Sequence, residues 1–368
     1  MKKIVICTIF LVCFCLNPQI SLGKELDINA KAAVLVEMDS GQVLWEKNKD
    51  KLLPPASTTK ILTALIAFDM GNLQKICTVS PKAASIGESS LHIKTGEQIK
   101  LEELLKGALL HSGNDACVAI AENLAGSESF FVYWMNLKAK LLGAVSSTFY
   151  NTNGLPDDRH LLTAYDLSLI SCYAMQNKNF FSVVQKKYDI IGNGINKRYL
   201  KNTNKLLWKY PWCIGIKTGT TIAAGQCLVS AAEKNGERYI AVVLNSSDRY
   251  SDSLKLLEYG VNNFSRRTLF KENDVIGNVP VINGSQRTVP AVVSKRVSVF
   301  YQDSVNTPPK ISLHIRKSVS APVKKGNSMG YIEIIDYKGD IITRVNVVAG
   351  CEVSKISFPL SWFKYLIN

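Results

Sequence analysis

Histidine is scarce in this sequence, and its scarcity limits the chemistry that the chain can carry. Of 368 residues only four are histidines, which are His92, His111, His160 and His314. No two of them are close enough in the chain to supply the paired ligands of a zinc peptidase. We therefore expect no catalytic metal ion and no other cofactor.

Acidic residues are also outnumbered, with 30 aspartates and glutamates against 44 lysines and arginines and a formal net charge of +14. Such a basic chain suits an anionic lipid surface or an anionic cell-wall polymer. Nucleic acid is the other usual partner of basic proteins, but the sequence contains no recognisable nucleic-acid-binding module, so no such partner is expected. A hydrophobic content of 46% and a charged content of 20% are typical of a globular protein.

Long apolar runs are missing beyond the N-terminus, so no later segment is expected to span a membrane. At the N-terminus, Lys2 and Lys3 precede an apolar run over residues 4–16, and small residues follow it. This pattern predicts a secretory signal peptide over residues 1–23, cleaved after Gly23, and hence an exported protein. The alternative, a retained membrane anchor, is disfavoured because the run is shorter than the ~20 residues of a full span.

Closely spaced cysteine pairs are absent as well. The chain has nine cysteines, and three of them fall within the predicted signal peptide. The other six are scattered without C-x-x-C spacing, at Cys77, Cys117, Cys172, Cys213, Cys227 and Cys351. A chain of this size can bury a large core without crosslinks, so we expect buried free thiols in preference to disulfides.

Hydrophobic periodicity predicts a sheet covered by helices in the first two thirds of the chain. Two strands are expected within residues 31–46, on either side of a turn at Asp39, Ser40 and Gly41. Helical spacing starts at Ile61, which places Ser57 at or beside a helix N-terminus. Further helices are predicted over residues 101–110, 115–126, 128–143, 163–175 and 251–264, and further strands over residues 227–233 and 238–245. Strands from distant parts of the chain would then share one sheet, an α/β (α+β) arrangement.

The pattern changes past about residue 265, where helical periodicity gives way to short alternating runs separated by turn signals. Strands are predicted at residues 296–301, 311–316, 330–335 and 343–348. We expect a small β-rich second domain over residues 265–355. The chain ends in a short amphipathic segment, residues 356–368, which could lie in a membrane interface or dock on its own protein.

Three short motifs occur in order along the chain: Ser57-Thr-Thr-Lys60, Ser112-Gly-Asn114 and Lys217-Thr-Gly219. Singly they are weak, because S-x-x-K recurs at residues 21–24 and 361–364 and K-T-G recurs at 94–96. In this order and in these surroundings they form a specific combination.

Each motif has a chemical interpretation. Residues three apart share a helix face, so Lys60 can reach the Ser57 hydroxyl and remove its proton if burial lowers the lysine pKa. Ser112 would relay a proton to the leaving amine and Asn114 would hold a substrate amide, although both are also good helix-capping residues. Lys217 and Thr218 would meet a terminal carboxylate on an edge strand that pairs with an extended peptide.

Residues 31–264 resemble the serine D-alanyl-D-alanine carboxypeptidases, the low-molecular-mass penicillin-binding proteins. The resemblance is carried by the three motifs and by stretches such as "LLHSGNDACVAIAE" and "NTNGLPDDRHLLTAYDL", and residues 265–355 resemble the β-rich domain that follows in those enzymes. It implies a β-lactamase/transpeptidase-like domain over residues 24–264, with a central antiparallel sheet flanked by helices.

The same resemblance implies the substrate and the roles of the site residues. The substrate would be a peptidoglycan pentapeptide stem, and β-lactam antibiotics would acylate the enzyme. Ser57, Lys60 and Ser112 would be catalytic, and the substrate would be bound by Asn114, Lys217, Thr218, Gly219 and Thr220. The backbone N–H groups of Ser57 and Thr220 would form the oxyanion hole. Thr220 and Thr221 depart from the histidine or tyrosine common after the third motif, which leaves the substrate preference open.

Two rival interpretations remain. A class A β-lactamase would carry an E-x-x-x-N segment between the second and third motifs, and none is present. A non-catalytic wall-binding or regulatory protein on the same fold is disfavoured by the intact Ser57, Lys60, Ser112, Asn114 and Lys217. Release of D-alanine from a pentapeptide separates the enzyme from the regulatory protein.

Overall fold

The computed structural model of the chain describes residues 26–302, 308–336 and 339–356. The predicted signal peptide lies outside these residues, and so does the predicted tail apart from Ile356.

The helices lie in the first two thirds of the described chain, as the sequence predicts. Their bounds are α1 Lys60–Asp69, α2 Pro81–Ser85, α3 Leu101–Lys106, α4 Asn114–Ala125, α5 Glu128–Leu141, α6 Ala164–Gln176, α7 Lys178–Val184, α8 Leu206–Lys209 and α9 Arg249–Asn263. A 3-10 turn, Ala56–Thr59, leads into α1, and a second one spans Gly194–Asn196. The helix predicted over residues 101–110 is not uniform, because α3 ends at Lys106 and a π-helical turn, Gly107–His111, follows it. Within the described ranges, every helix is too short or too polar to cross a bilayer.

Nine strands accompany these helices in the described residues before position 264. They are β1 Ala32–Glu37, β2 Val43–Lys47, β3 Ile76–Thr78, β4 Gln98–Lys100, β5 Tyr188–Ile191, β6 Arg198–Lys201, β7 Cys213–Thr221, β8 Gly225–Lys234 and β9 Glu237–Ser246. Five of them form one antiparallel sheet in the order β2-β1-β9-β8-β7, so β7 is an edge strand, as expected. The first two of these nine strands therefore join the last three in one sheet, and the remaining four form two separate two-stranded antiparallel sheets, β3–β4 and β5–β6.

Helices cover both faces of this sheet. Alternate residues of β1 point in opposite directions, so Ala32, Val34 and Val36 join the core that contains α1, α4 and α6. Ala33 and Leu35 join the opposite core, which they share with Leu256 and Leu257 of α9. Because both faces are covered, all six residues of β1 are buried, which explains the continuous apolar run over its first five residues.

The rest of the described chain is β-rich. Its strands are β10 Phe264–Phe270, β11 Val275–Ile282, β12 Thr288–Val293, β13 Val297–Gln302, β14 Lys310–Ile315, β15 Val319–Ser320, β16 Ser328–Ile335 and β17 Ile341–Ala349. Six of them form a sheet in the order β14-β16-β17-β12-β11-β15, and β10 pairs with β13. Buried residues of this region, among them Val289, Ile332 and Val347, form a hydrophobic cluster of their own. The four strands predicted here correspond to β13, β14, β16 and β17.

Candidate active site

Ser57 lies in the 3-10 turn that precedes α1, and two glycines from distant segments pack directly against this turn. A Cβ atom on Gly154 would lie 1.8 Å from the Ala56 carbonyl oxygen, and one on Gly219 would lie 2.9 Å from the Ser57 nitrogen. Both contacts are with backbone, which cannot move aside as a flexible side chain can. Glycine at both positions therefore lets the loop at 154 and strand β7 close around the half-buried serine.

Lys60, the first residue of α1, is fully buried and points at Ser57. Its Nζ donates hydrogen bonds to Ser57 Oγ at 2.6 Å, to Asn114 Oδ1 at 2.7 Å and to the Asn153 carbonyl oxygen at 2.7 Å. Burial lowers the pKa of Lys60 from 10.5 to about 8. An amine with this pKa is neutral in an appreciable fraction of molecules near neutral pH, so it can accept a proton.

The second motif reaches the lysine through Asn114. Ser112 follows the π-helical turn and has a left-handed backbone with φ +71°, and α4 starts two residues later at Asn114. The Asn114 amide donates to the Gly87 carbonyl at 3.0 Å while its oxygen accepts from Lys60. Ser112 is 7% exposed, and in the described chain the hydrogen bonds joining the motifs run through Asn114 and not through the Ser112 hydroxyl.

Lys217 of the third motif is the second fully buried lysine of the site. Its Nζ donates to the Thr218 carbonyl oxygen at 2.9 Å. Burial lowers the pKa of Lys217 well below its ordinary value, and the positive charges of Lys60 and Arg249 lower it further. The effect of Lys60 on Lys217 shows that the first and third motifs share one electrostatic environment.

The remaining residues of the third motif shape the outer edge of the sheet. Thr218 is buried, and its hydroxyl lies 2.7 Å from that of Thr203. Thr220 is exposed, and Arg249 at the start of α9 donates to its hydroxyl at 2.6 Å and to the Gly219 carbonyl at 2.8 Å. The eight residues predicted from the motifs thus lie on three segments that meet beside Ser57.

Three contributors to the site were missed by the sequence analysis. The Asn153 carbonyl accepts a hydrogen bond from Lys60, and Gly154 packs on the serine turn. Arg249 donates a hydrogen bond to the Gly219 carbonyl of β7. The Asn-Gly pair at 153–154 is a turn signal that marks a position needing glycine. No sequence pattern links Arg249 to a strand residue 30 positions earlier.

A serine hydroxyl hydrogen-bonded to a buried lysine of lowered pKa, on the edge of an antiparallel sheet flanked by helices, is typical of a serine enzyme that forms an acyl intermediate.

Comparison with known proteins identifies the class more closely. Residues 19–248 match the family described as D-alanyl-D-alanine carboxypeptidase, and residues 264–355 match the penicillin-binding protein 5 C-terminal domain. The chain is 34% identical over 347 residues to the D-alanyl-D-alanine carboxypeptidase DacF of Bacillus subtilis, covering 91% of this chain and 88% of that one. It is 32% identical over 322 residues to DacC of Escherichia coli, covering 83% and 80% of the two chains.

Solved structures agree with these matches. The fold is similar to that of penicillin-binding protein 5 from Haemophilus influenzae, with a TM-score of 0.79, 25% identity and coverage of 90% of this chain and 100% of that one. It is also similar to the D-alanyl-D-alanine carboxypeptidase DacD from Francisella tularensis, with a TM-score of 0.72, 27% identity and coverage of 90% and 95%. The chain belongs to the D-alanyl-D-alanine carboxypeptidase family. It is a hydrolase of the penicillin-binding class, with the expected antiparallel fold.

Proposed function

We propose that the protein removes the terminal D-alanine from peptidoglycan pentapeptide stems, with Ser57 as nucleophile and Lys60 as its base. The contact that carries this proposal is the 2.6 Å hydrogen bond between Lys60 Nζ and Ser57 Oγ, formed by a lysine whose pKa is lowered to about 8. In the neutral amine the bond reverses direction, because the hydroxyl then donates to the lysine nitrogen. The serine oxygen can then attack the carbonyl carbon between the two D-alanines.

Groups beside Ser57 stabilise the oxyanion and protonate the leaving amine. The tetrahedral intermediate places its oxyanion between the backbone N–H groups of Ser57 and Thr220, which the packing of Gly219 against the serine turn brings near each other. When the peptide bond breaks, the proton that Lys60 took from Ser57 passes through Ser112 and Lys217 to the amine of the departing D-alanine. Water then hydrolyses the ester on Ser57 and frees the shortened peptide.

The terminal carboxylate of the substrate is held by positive charge at the edge strand. Lys217, Thr218 and Arg249 lie beside Gly219, and Arg249 is close enough to Lys217 to lower its pKa. Asn114 binds the peptide amide through its second amide N–H, because Gly87 accepts from the first and Lys60 donates to the side-chain oxygen. A substrate with a free C-terminal carboxylate complements this charge, and a β-lactam ring with its carboxylate does so as well.

The test is to locate the acylated residue and to measure D-alanine release on the same preparation. Mass spectrometry of the penicillin adduct should place the label on Ser57, and Ser57→Ala should lose both labelling and D-alanine release. The loss of hydrolysis should be about 10⁶-fold, the scale found for serine nucleophiles. Labelling of Ser57 without D-alanine release from a pentapeptide would instead favour a regulatory penicillin-binding protein, and a label on another serine would refute the site.

We further propose that the chain is exported through the signal peptide at residues 1–23 and acts on the wall side of the cell membrane. In this proposal residues 24–264 form the catalytic domain, residues 265–355 form a β-rich domain, and residues 356–368 contact the membrane interface. The separate hydrophobic cluster of the β-rich region supports the division. A net charge of +14 supports contact with an anionic surface.

A further inference from the structure

The ribbon formed by β5 and β6, residues 188–201, has one face in the core and the other in solvent. Ile191 and Leu200 lie on the inner face, where each is 2% exposed and joins the main hydrophobic core. Neighbouring residues of a strand point to opposite faces. The apolar side chains of the outer face are therefore Tyr188, Ile190 and Tyr199. The inner face anchors the ribbon, and the outer face is open to solvent.

Large apolar side chains are exposed on this outer face and at its tip. Tyr199 is 72% exposed, and Ile195, in the 3-10 turn that joins the two strands, is fully exposed. Trp208 of α8 extends the face, because its ring packs edge-on against Tyr188 with 5.6 Å between the ring centres. We call Tyr188, Ile190, Ile195, Tyr199 and Trp208 the ribbon patch. An exposed group of this kind marks an interaction surface.

Positive charge surrounds the ribbon patch. Residues 186–209 contain seven lysines and arginines and a single acidic residue, Asp189. Lys186 pairs with Asp189 at 2.8 Å, and Arg198 pairs with Glu97 at 2.7 Å. The other five basic residues are exposed lysines that form no ion pair within the described residues, namely Lys187, Lys197, Lys201, Lys205 and Lys209. Their charge is available to an anionic partner.

Two of these lysines lie over rings of the ribbon patch. Lys197 Nζ is 5.0 Å from the centre of the Tyr199 ring, and Lys201 Nζ is 5.8 Å from that of Trp208. Cationic and aromatic groups are therefore interleaved on one surface. Tyrosine and tryptophan rings with neighbouring lysines are typical of surfaces that lie among lipid headgroups, where the rings occupy the interface and the amines bind phosphates.

The ribbon is held close to the candidate active site. The Asn202 side chain, just after β6, donates to the Lys186 carbonyl oxygen at 2.9 Å. The next residue, Thr203, places its hydroxyl 2.7 Å from that of Thr218 in the third motif. A surface that binds the ribbon patch is therefore held near the edge strand β7.

We propose that the ribbon patch docks on the surface of an anionic lipid bilayer. In the docked state Ile195 enters the boundary of the acyl chains, the aromatic rings lie among the headgroups, and the exposed lysines bind lipid phosphates. A soluble polyanion would use the same lysines, but it offers no apolar environment for a fully exposed isoleucine. The combination of both features favours the lipid surface.

This contact is separate from the one proposed for residues 356–368, and it does not depend on the chemistry at Ser57. A single weak membrane-binding element gives marginal and reversible attachment, and stable anchoring takes two. The ribbon patch is then the second element, so loss of either one should leave most of the protein unbound.

The inference is tested by co-sedimentation of the full chain with vesicles of equal parts phosphatidylglycerol and phosphatidylcholine. The double substitution Lys197→Gln and Lys201→Gln should weaken binding about 20-fold, from about fivefold for each lysine near an anionic surface. Ile195→Ser should weaken it about fivefold through lost apolar burial. At about 1 M salt, where exposed charges are screened, the lysine effect should disappear and the isoleucine effect should persist.

Matched variants elsewhere on the surface control for total charge and hydrophobicity. Lys31→Gln with Lys51→Gln removes two exposed lysines that flank the first two strands, and Ile282→Ser removes a half-exposed isoleucine of β11. Both controls should bind vesicles like the unaltered protein. D-alanine release from a soluble peptide should be equal in all variants, which shows that each of them is folded.

The outcomes separate this inference from its rivals. Ribbon variants that bind vesicles like the unaltered protein, or controls that weaken binding equally, would overturn it and leave the carboxypeptidase proposal standing. Tight binding to soluble inorganic polyphosphate, with no effect of Ile195→Ser on vesicle binding, would show a polyanion site instead. A lipid-free dimer that Ile195→Ser abolishes would show that a second copy covers the patch. Absence of D-alanine release would refute the proposed function and leave the membrane contact intact.

Discussion

At the residue scale, the site depends on two lysines that the fold removes from water. Lys60 and Lys217 are both fully buried, and neither forms an ion pair within the described residues. Burying a cationic amine without a carboxylate partner costs free energy, and a lowered pKa is the result. The buried lysines therefore lower the stability of the fold, and the same burial provides a base that works near neutral pH.

The pKa of Lys60 sets an expected pH dependence. Because the neutral amine is the base, the rate constant for acylation by penicillin should rise about tenfold per pH unit below pH 8 and level off above it, following the lysine pKa of about 8. Stopped-flow measurement of acylation between pH 6 and 9.5 checks this. A rate that is flat over that range would show that Lys60 is not the base.

Gly219 offers a second prediction at this scale. A Cβ atom there would lie 2.9 Å from the Ser57 nitrogen and 3.0 Å from the Pro55 carbonyl oxygen, so Gly219→Ala should displace the serine turn. We expect kcat/KM to fall by about 100-fold, the scale of an ångström-sized misplacement. Gly277→Ala is the matched control, because Gly277 is also a strand glycine and has open space around its Cβ position. Equal activity of the two variants would contradict the close approach of β7.

At the scale of elements, the sequence predicted the type and order of the helices and strands better than the turns that connect them. The strands β1, β2, β8 and β9 and the long helices have clear periodicity, since each packs one or both faces on a core. The π-helical turn after α3 was not predicted, and it begins at Gly107, which contacts Leu91 only in the folded chain. A Cβ on Gly107 would lie 2.2 Å from a Leu91 methyl carbon.

The loop before α6 is tied to the serine turn through His160. Its Nε2 lies 3.1 Å from the Thr59 hydroxyl, and its Nδ1 accepts from the Tyr150 backbone at 3.4 Å. Burial lowers the pKa of His160 from 6.5 to about 4. The unfolded chain therefore binds more protons than the folded one between these pH values, and stability falls as the pH is lowered through this window.

We expect His160 to contribute an acid-dependent loss of about 3 kcal/mol in the free energy of unfolding between pH 6.5 and pH 4. The measurement is urea unfolding at several pH values for the unaltered protein and for His160→Gln. Since the other groups titrate in both proteins, the difference between the two pH profiles gives the contribution of His160 to the pH dependence of the unfolding free energy. Parallel profiles would contradict a buried neutral His160.

At the scale of the whole molecule, side-chain contacts join the β-rich region to the sheet domain. Gln42 exchanges two hydrogen bonds with the backbone of Phe300, at 2.8 and 2.9 Å, and Arg266 pairs with Glu237 at 2.8 Å. Gln42 precedes the edge strand β2, Glu237 begins the central strand β9, and the site lies at β7 on the edge opposite β2. These contacts therefore lie away from the edge strand on which the peptide is proposed to bind.

The proposed membrane contact of the C-terminal tail leads to a prediction about a truncated protein. Deleting residues 359–368 should release the protein from vesicles that contain anionic lipid without changing D-alanine release from soluble peptides, because the catalytic groups lie elsewhere. Co-sedimentation with such vesicles, measured beside peptide hydrolysis, checks this. A truncated protein that still sediments with vesicles would show that the tail is not the anchor.

Local sequence patterns were enough to identify the residues that could do the chemistry and the order of the elements that carry them. Motif spacing within one helix turn links Ser57 to Lys60, and apolar periodicity follows directly from local geometry. Long-range packing brings Asn114 and Asn153 to the lysine beside Ser57 and places Arg249 against β7. It also decided the lowered lysine pKa values, because burial is a property of the whole packed core and has no counterpart in local sequence.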